Sequence, residues 1–292
     1  MGFLSKITED LKSVKTLFRY ISSSQFHVNS INLKRYTIRH VRVTDVIQLS
    51  RRYLVARLKL LEDFENEPEP GQFVMIWIPG IDYIPMSIAD YRDSELLIFF
   101  KVRGEGTRAL ANSKDKILGV TGPLGKPINL NNESRYLLIG GGTGLAPLIK
   151  LAKKLYSMNL LENVIWGTRS TNDVGIVPEF FKEVTGSELI VCTEDCTMGY
   201  CGKATDLVAE LIPKLKDSSI EIIAAGPNDM LASIALMSSR YGMDPVLVME
   251  STVKCGLGLC GECILGETGL SLCKDGPAFK ASKVINYIHN KK

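Results

Sequence analysis

The 292-residue chain is 45% hydrophobic and 23% charged, with 25 glycines, seven cysteines and a formal net charge of +3. At roughly 100–200 residues per domain, this length accommodates two folding units and a small appendage. The composition excludes disorder and fibrous repeats, and so mild a charge gives no reason to expect nucleic acid as a partner.

Residues 1–33 read as a separate extension. Leu4, Ile7, Leu11, Val14, Phe18 and Ile21 recur at alternating spacings of three and four, which predicts an amphipathic helix ended by Ser22-Ser23-Ser24. Packing of this stripe on the protein's own body is the expected arrangement. Docking on a partner subunit, or less favourably a membrane contact through residues 3–21, is the alternative, with Lys6, Lys12, Lys15 and Arg19 on the flanks. Over residues 34–131, β-type runs are clearest at 53–58, 73–78 and 96–102, punctuated by Pro70-Gly71, Pro79-Gly80, Gly104 and Gly106. Strands without intervening helices predict a small antiparallel barrel.

Over residues 132–247 the rhythm becomes strand, loop, helix. Strands are expected at 136–139, 164–167, 189–192 and 220–225, and helices at 147–158, 206–215 and 229–241. That alternation predicts a parallel sheet covered on both faces. The last segment, 248–292, carries most of the cysteines. The expected fold class is α/β plus β: an antiparallel β-barrel, a parallel α/β nucleotide-binding domain and a C-terminal cysteine loop.

The longest uncharged apolar stretch, residues 137–149, contains four glycines and is short of a membrane span. No apolar segment with a small-residue cleavage site opens the chain, so the expected location is the cytoplasm, where thiols stay reduced. His27, His40 and His289 are dispersed, against a histidine-based metal site. A Gly-x-Ser-x-Gly elbow is absent, and Pro127 follows Gly125-Lys126 where a phosphate loop needs Ser or Thr. Hydrolase and nucleotide-triphosphatase chemistry lose ground accordingly.

Cys255, Cys260, Cys263 and Cys273 are separated by four, two and nine residues, and the first three match a plant-type two-iron ferredoxin loop. Thiolates must converge from a tightly curled backbone, which Gly256, Gly258 and Gly261 permit. Glu267-Thr268-Gly269 reads as a hairpin turn that returns Cys273. A structural zinc is the alternative, although Cys273 has no nearby partner to form a second knuckle. Gly140-Gly141-Gly142-Thr143-Gly144 joins a strand to a helix with Pro147 in its first turn, where a pyrophosphate can approach bare backbone; a tight strand–helix connection is the plainer reading. Cys192, Cys196 and Cys201 suggest buried free thiols more than a second metal site. Arg169 either reads a 2′-phosphate or is simply solvated.

Pro70-Gly-Gln-Phe-Val74, Pro85-Met-Ser87, Gly106-Thr107, Gly122-Pro-Leu-Gly125, the glycine loop, Ala225-Gly-Pro227 and the cysteine loop occur in this order. The order resembles the ferredoxin–NADP reductase superfamily, a flavin barrel followed by a nicotinamide domain. The cysteine loop with Cys273-Lys-Asp-Gly-Pro-Ala-Phe279, and Thr193-Glu-Asp…Met198-Gly-Tyr…Gly202-Lys-Ala-Thr-Asp206, are most similar to the electron-transfer subunits of dihydroorotate dehydrogenases. The resemblance covers roughly residues 36–280. It implies a [2Fe-2S] cluster on the four cysteines, FAD in the barrel, NAD as a possible acceptor, and a catalytic FMN-containing partner subunit in a heterotetramer serving pyrimidine synthesis. Pro85, Met86 and Ser87 would line the flavin, with Lys101, Val102, Gly106 and Thr107 near its ribityl and phosphate groups. Gly141, Gly142, Thr143 and Gly144 would receive the nucleotide. This chain need supply no general acid or base.

Two positions depart from the family pattern. Ile84 stands where an arginine precedes Pro-x-Ser, and Ala225 where a cysteine precedes Gly-Pro. Loss of an arginine's charge-assisted hydrogen bond weakens flavin binding by roughly ten- to a hundredfold, unless Arg103 or Arg108 supplies the charge. Both changes fall on the flavin–nicotinamide half, which leaves an acceptor other than NAD open. The flavin/iron–sulfur subunit of a sulfhydrogenase or transhydrogenase, and a cluster-bearing module that only stabilises its partner, are the competing readings.

Overall fold

The computed structural model describes residues 36–215 and 219–290. The helix predicted over residues 1–33 lies outside them. Seven antiparallel strands form the first sheet: β1 (Arg39–Gln48), β2 (Tyr53–Leu60), β3 (Phe73–Ile78), β4 (Asp82–Ser87), β5 (Asp90–Arg92), β6 (Glu95–Lys101) and β7 (Ile117–Leu124). Their order, β4-β3-β7-β1-β2-β6-β5, curls into a barrel-like sheet. The two-residue period of a strand sends Val41 and Val43, Ala56 and Leu58, Val74 and Ile76, all buried, into one interior core. Helix α1 (Glu105–Ala111) sits between β6 and β7 and contributes Leu110 to that core.

The second sheet contains β8 (Arg135–Gly141), β9 (Leu161–Thr168), β10 (Ile190–Thr193), β11 (Tyr200–Cys201), β12 (Ile220–Ala225), β13 (Val246–Val248) and β14 (Ala278–Lys280). The order is β11-β10-β9-β8-β12-β13-β14, parallel except where β14 pairs antiparallel with β13. From Tyr136 onward every residue of β8 is buried, as expected for a central strand covered on both faces. Helices α2 (Ala146–Ser157), α3 (Thr171–Val174), α4 (Val177–Thr185), α5 (Ala204–Leu215) and α6 (Asn228–Ser239) make the crossovers. The chain builds outward from β8 in one direction to β11, then restarts on the other flank at β12. Such a reversal opens a crevice at the carboxyl ends of β8 and β12, where open α/β sheets bind ligands.

The C-terminal segment does more than carry cysteines. It adds α7 (Leu272–Asp275), β14 and α8 (Ala281–Asn290), and α8 buries Val284 and Ile288 in the same core as Leu231 and Ala235 of α6. Two apolar cores are shared between the sheets. Phe73, Met75 and Leu124 join Ile139, Val253 and Leu272 in one. In the other, Tyr53 stacks on Phe99 at 5.3 Å and meets Trp166 edge-on at 5.5 Å. Lys150 and Lys153 of α2 pair with Asp90 of β5 across the same boundary. Each sheet therefore holds the other in a fixed orientation. No helix among the described residues is long and apolar enough to cross a membrane.

Candidate functional site

The cysteine loop curls at Gly256, Gly258 and Gly261, all at positive φ (69°, 75° and 75°), a region that side chains rarely enter. Its return runs through a hairpin: Ile264 bridges Ser271, and the Leu272 N–H donates to the Cys263 carbonyl at 3.0 Å. Cys255, Cys260, Cys263 and Cys273 line one cavity of about 200 Å³. The Sγ atoms of Cys263 and Cys273 are 3.3 Å apart, and the Gly258 N–H donates to Cys273 Sγ at 3.1 Å. Leu257 N–H donates to Cys255 Sγ at 3.3 Å. Burial opposes ionisation of Cys255, but the N–H groups of Leu257, Cys260 and Leu259 outweigh it and bring the thiol down to about 6. Burial and the adjoining Cys263 thiol push Cys273 up. Four thiols around a space, with amides aimed at the sulfurs, fit a multi-atom iron–sulfur cluster better than one zinc ion.

A second cavity, about 270 Å³, opens between the two sheets. Pro85, Met86, Ser87, Lys101 and Thr107 line it from the barrel, and Thr143 and Gly144 from the glycine loop. The Thr107 hydroxyl accepts N–H bonds from Arg103 at 2.8 Å and Gly104 at 3.1 Å, fixing the start of α1. Val102 is 42% exposed and does not reach the cavity. Gly106 does not reach it either, because Asp82 and Ile84 cover it: a Cβ there would lie 2.6 Å from Asp82 Oδ2 and 2.7 Å from Ile84 Cγ2. An apolar floor with a polar rim fits a flavin ring. Ile84, at the position of the family arginine, packs on Gly106 with Asp82 and is not among the walls of this cavity. Of the two compensating cations considered, Arg103 lines the cavity and pairs with Glu250 at 3.7 Å, whereas Arg108 is not among its walls.

A third cavity, about 400 Å³, continues along the carboxyl ends of β8 and β9. Gly141 and Gly142 form its floor, and Lys101 borders both cavities. Burial lowers the Lys101 pKa, and Arg103 and Arg52 nearby lower it further. The glycines are needed for close approach. A Cβ on Gly144 would stand 2.1 Å from the Ala225 carbonyl oxygen, so this loop lies flat against the end of β12. Trp166 Nε1–H holds the Gly142 carbonyl at 2.9 Å. Arg169, read as reader or bystander, lines this cavity, joined by Arg52, Lys203 and Glu194. Sequence reasoning missed Arg52 and Lys203 as walls, since both come from segments remote from the glycine loop. Ala225 lines the flavin-side cavity beside Gly226.

One juxtaposition joins the cavities. Leu272 lines the flavin-side cavity, and its neighbour Cys273 lines the cysteine cavity. The segment is tied down where Lys126 N–H donates to the Gly276 carbonyl at 2.6 Å and Met249 N–H to the Pro277 carbonyl at 2.9 Å. Of the remaining cysteines, Cys192 is the buried free thiol expected, whereas Cys196 and Cys201 correct that expectation. Cys192 is buried and free, with burial pushing its pKa up to about 11. Cys196 and Cys201 are exposed and joined as a disulfide. The parallel pairing of Thr193 with Cys201 folds the intervening turn back on itself and brings their Cα atoms to 4.2 Å.

Comparison with known proteins follows the same lines. Residues 250–285 match the family model described as the iron–sulfur cluster binding domain of dihydroorotate dehydrogenase B. The probable dihydroorotate dehydrogenase B (NAD(+)) electron transfer subunit of Methanocaldococcus jannaschii is 31% identical over 227 residues, spanning 76% of this chain and 83% of the relative. The corresponding subunit of Caldanaerobacter subterraneus subsp. tengcongensis is 33% identical over 230 residues, spanning 75% of this chain and 88% of that one. Among solved structures, a NADH-dependent reduced ferredoxin-NADP oxidoreductase superposes with a TM-score of 0.71 at 26% identity, over 86% of this chain and 93% of its own. Phthalate dioxygenase reductase shares the fold, with a TM-score of 0.55 at 16% identity over 69% of this chain and 64% of its own.

Proposed function

The chain belongs to the family of dihydroorotate dehydrogenase B electron transfer subunits, and from that premise we propose that it carries electrons from a catalytic flavoprotein subunit to a pyridine nucleotide in pyrimidine synthesis. The catalytic subunit contains FMN and oxidises dihydroorotate, and two copies of each subunit form a cytoplasmic heterotetramer. When bound, the [2Fe-2S] cluster supplies single-electron transfer and FAD supplies two-electron exchange as hydride.

The chain's own residues do the positioning. Cys255, Cys260, Cys263 and Cys273 hold the cluster, with Leu257 and Gly258 amides lending positive charge to the sulfurs. Pro85, Met86 and Ser87 hold the flavin ring, with Lys101 and Thr107 at its polar edge. Gly141, Gly142, Thr143 and Gly144 let a nucleotide diphosphate approach the start of α2, where the helix dipole favours its charge. Residues 1–33 form the amphipathic extension, 34–131 the flavin domain, 132–247 the nucleotide domain and 248–292 the cluster segment.

The adjacency of Leu272 and Cys273, one on each cavity, carries this reading. It leaves a single backbone step between the cluster's ligand and the flavin's wall, a short path for single electrons, with the proton of the reduced flavin taken from solvent. Expression of the chain with a catalytic dihydroorotate-oxidising subunit tests the assignment. A co-purifying complex with about one FAD and two irons per chain is expected, reducing NAD⁺ at the expense of dihydroorotate. A chain that binds cluster and flavin but co-purifies with a different oxidoreductase subunit contradicts the assigned partner. The similarity to the ferredoxin-NADP oxidoreductase favours that second reading.

A further inference from the structure

The turn between β10 and β11 is not needed for the electron path, yet it builds one side of the nucleotide cavity. Glu194 lies two residues before Cys196, and Lys203 two residues after Cys201; both side chains line the cavity. The disulfide therefore joins the two chain segments that carry these opposing charges. Lys203 is anchored on its C-terminal side by the start of α5, where its N–H donates to Asp206 Oδ2 at 2.8 Å; the strand on its other side is short. β11 is two residues long and forms the edge of the sheet, paired only through Cys192 with Tyr200 and Thr193 with Cys201. Beyond the ladder, the turn is gathered on Thr193, whose Oγ1–H donates to the Met198 carbonyl at 2.7 Å and whose carbonyl accepts from Cys196 and Gly202 N–H, and the Thr171 N–H donates to Thr197 Oγ1 at 2.8 Å. Both sulfur-bearing residues are exposed, so a soluble thiol can reach the bond.

We infer that Cys196 and Cys201 form a reversible dithiol–disulfide site whose oxidised form clasps Glu194 and Lys203 into the walls of the pyridine-nucleotide cavity. The inference rests on the nucleotide reading above and adds regulation to it. Exposed disulfides in a reducing compartment are usually transient and redox-sensing, which suits a pair on the surface beside a cofactor site. The reductant is a dithiol. One of its thiolates attacks a cystine sulfur, breaking the S–S bond and forming a mixed disulfide. Its second thiol then displaces the remaining cysteine. Two electrons and two protons pass to Cys196 and Cys201, and the reductant departs as its own disulfide. Opening the bond leaves the turn held by hydrogen bonds alone and gives the Glu194 segment more freedom relative to Lys203, so the nucleotide must order this wall when it binds.

The test uses the full chain and NADH as the probe, in three forms: air-oxidised, treated with dithiothreitol, and carrying Cys196→Ser with Cys201→Ser. Alkylation followed by mass spectrometry counts the blocked thiols, and equilibrium titration measures NADH affinity. The expected result is a Cys196–Cys201 crosslink in the oxidised form, with NADH bound roughly three- to tenfold more weakly by the reduced form. The double-serine variant, which needs no reductant and leaves the cluster cysteines untouched, matches the reduced form. Free alkylation of both cysteines in the oxidised sample overturns the inference. Equal affinity in all three forms overturns the clasp while leaving the nucleotide reading intact. Absence of NADH binding in every form overturns both.

Discussion

The cysteine loop and the flavin–nucleotide cleft are both built from glycine-rich turns, but they differ in how strictly the chain keeps its chemistry. In the loop, four thiols face one cavity and backbone amides point at the sulfurs. In the cleft, Pro85, Met86 and Ser87 share one cavity, while Val102 and Gly106 lie off it, Gly106 covered by Asp82 and Ile84. The difference teaches that a cluster is specified by a few covalent ligands in one short segment. A dinucleotide cofactor is held by many weak contacts from distant segments, so single positions there can drift without dismantling the site.

The sharpest way to break the loop is to remove one of its buried thiols. Cys273→Ser is expected to lower bound iron from two per chain to near zero and to abolish electron passage to the nucleotide by a factor of at least about a hundred. Iron analysis and the two-iron electron paramagnetic resonance signal check this. The same substitution leaves flavin content unchanged if the two regions bind independently.

In the cleft, the largest effect belongs to Gly144→Ala. Its Cβ would lie 2.1 Å from the Ala225 carbonyl, and backbone cannot move aside as a flexible side chain can. Overpacking of this kind costs about 1–3 kcal/mol, and the shifted loop is expected to weaken NADH binding by at least roughly tenfold. Calorimetric titration and thermal unfolding measure the two consequences separately. Ile84→Arg tests the drift in the opposite direction. Restoring a guanidinium near the start of α1 should tighten FAD by roughly tenfold, read from the dissociation constant of the reconstituted flavin. No change would place the compensating charge on Arg103, freed from Glu250 when flavin binds.

A smaller effect separates thiols within the loop itself. In cluster-free protein, Cys255 titrates at about 6 and is mostly thiolate at neutral pH, whereas Cys273 is held protonated by burial and by Cys263. Alkylation of Cys255 should therefore rise as pH passes upward through about 6 and be fast at pH 7, with Cys273 slow throughout that range. Peptide mapping after brief iodoacetamide exposure resolves the order.

Much of this organisation was legible in the amino-acid order. Spacings of four, two and nine with three glycines announced the cysteine loop, because ligands within one segment leave their geometry in the spacing. The barrel and the parallel sheet followed from the change of hydrophobic period near residue 131, and strands such as β3 and β12 fall where the apolar runs predict them. Other features depend on contacts between distant segments, which a linear pattern does not record. The choice of Arg103 over Arg108 depends on how the segment before α1, rather than the helix itself, faces the cavity between the sheets. The entry of Arg52 and Lys203 into the nucleotide cavity depends on the sheet order. Pairing of Cys196 with Cys201 needed the turn after β10 to fold back, where the composition suggested only spare thiols. The placement of Leu272 and Cys273 on two different cavities depends on α7 packing between the cluster loop and the barrel.

The central claim is that electrons reach this chain's flavin through the cluster, whose ligand Cys273 adjoins the flavin-side wall at Leu272. Anaerobic addition of dihydroorotate to the complex with its catalytic subunit, followed by rapid mixing with simultaneous flavin and two-iron absorption, tests it most directly. The account predicts that wild-type cluster and flavin bands bleach before NAD⁺ is added. It further predicts that in Cys273→Ser the partner's flavin is reduced while this chain's flavin stays oxidised. Reduction of this chain's flavin at the wild-type rate without the cluster would contradict the account.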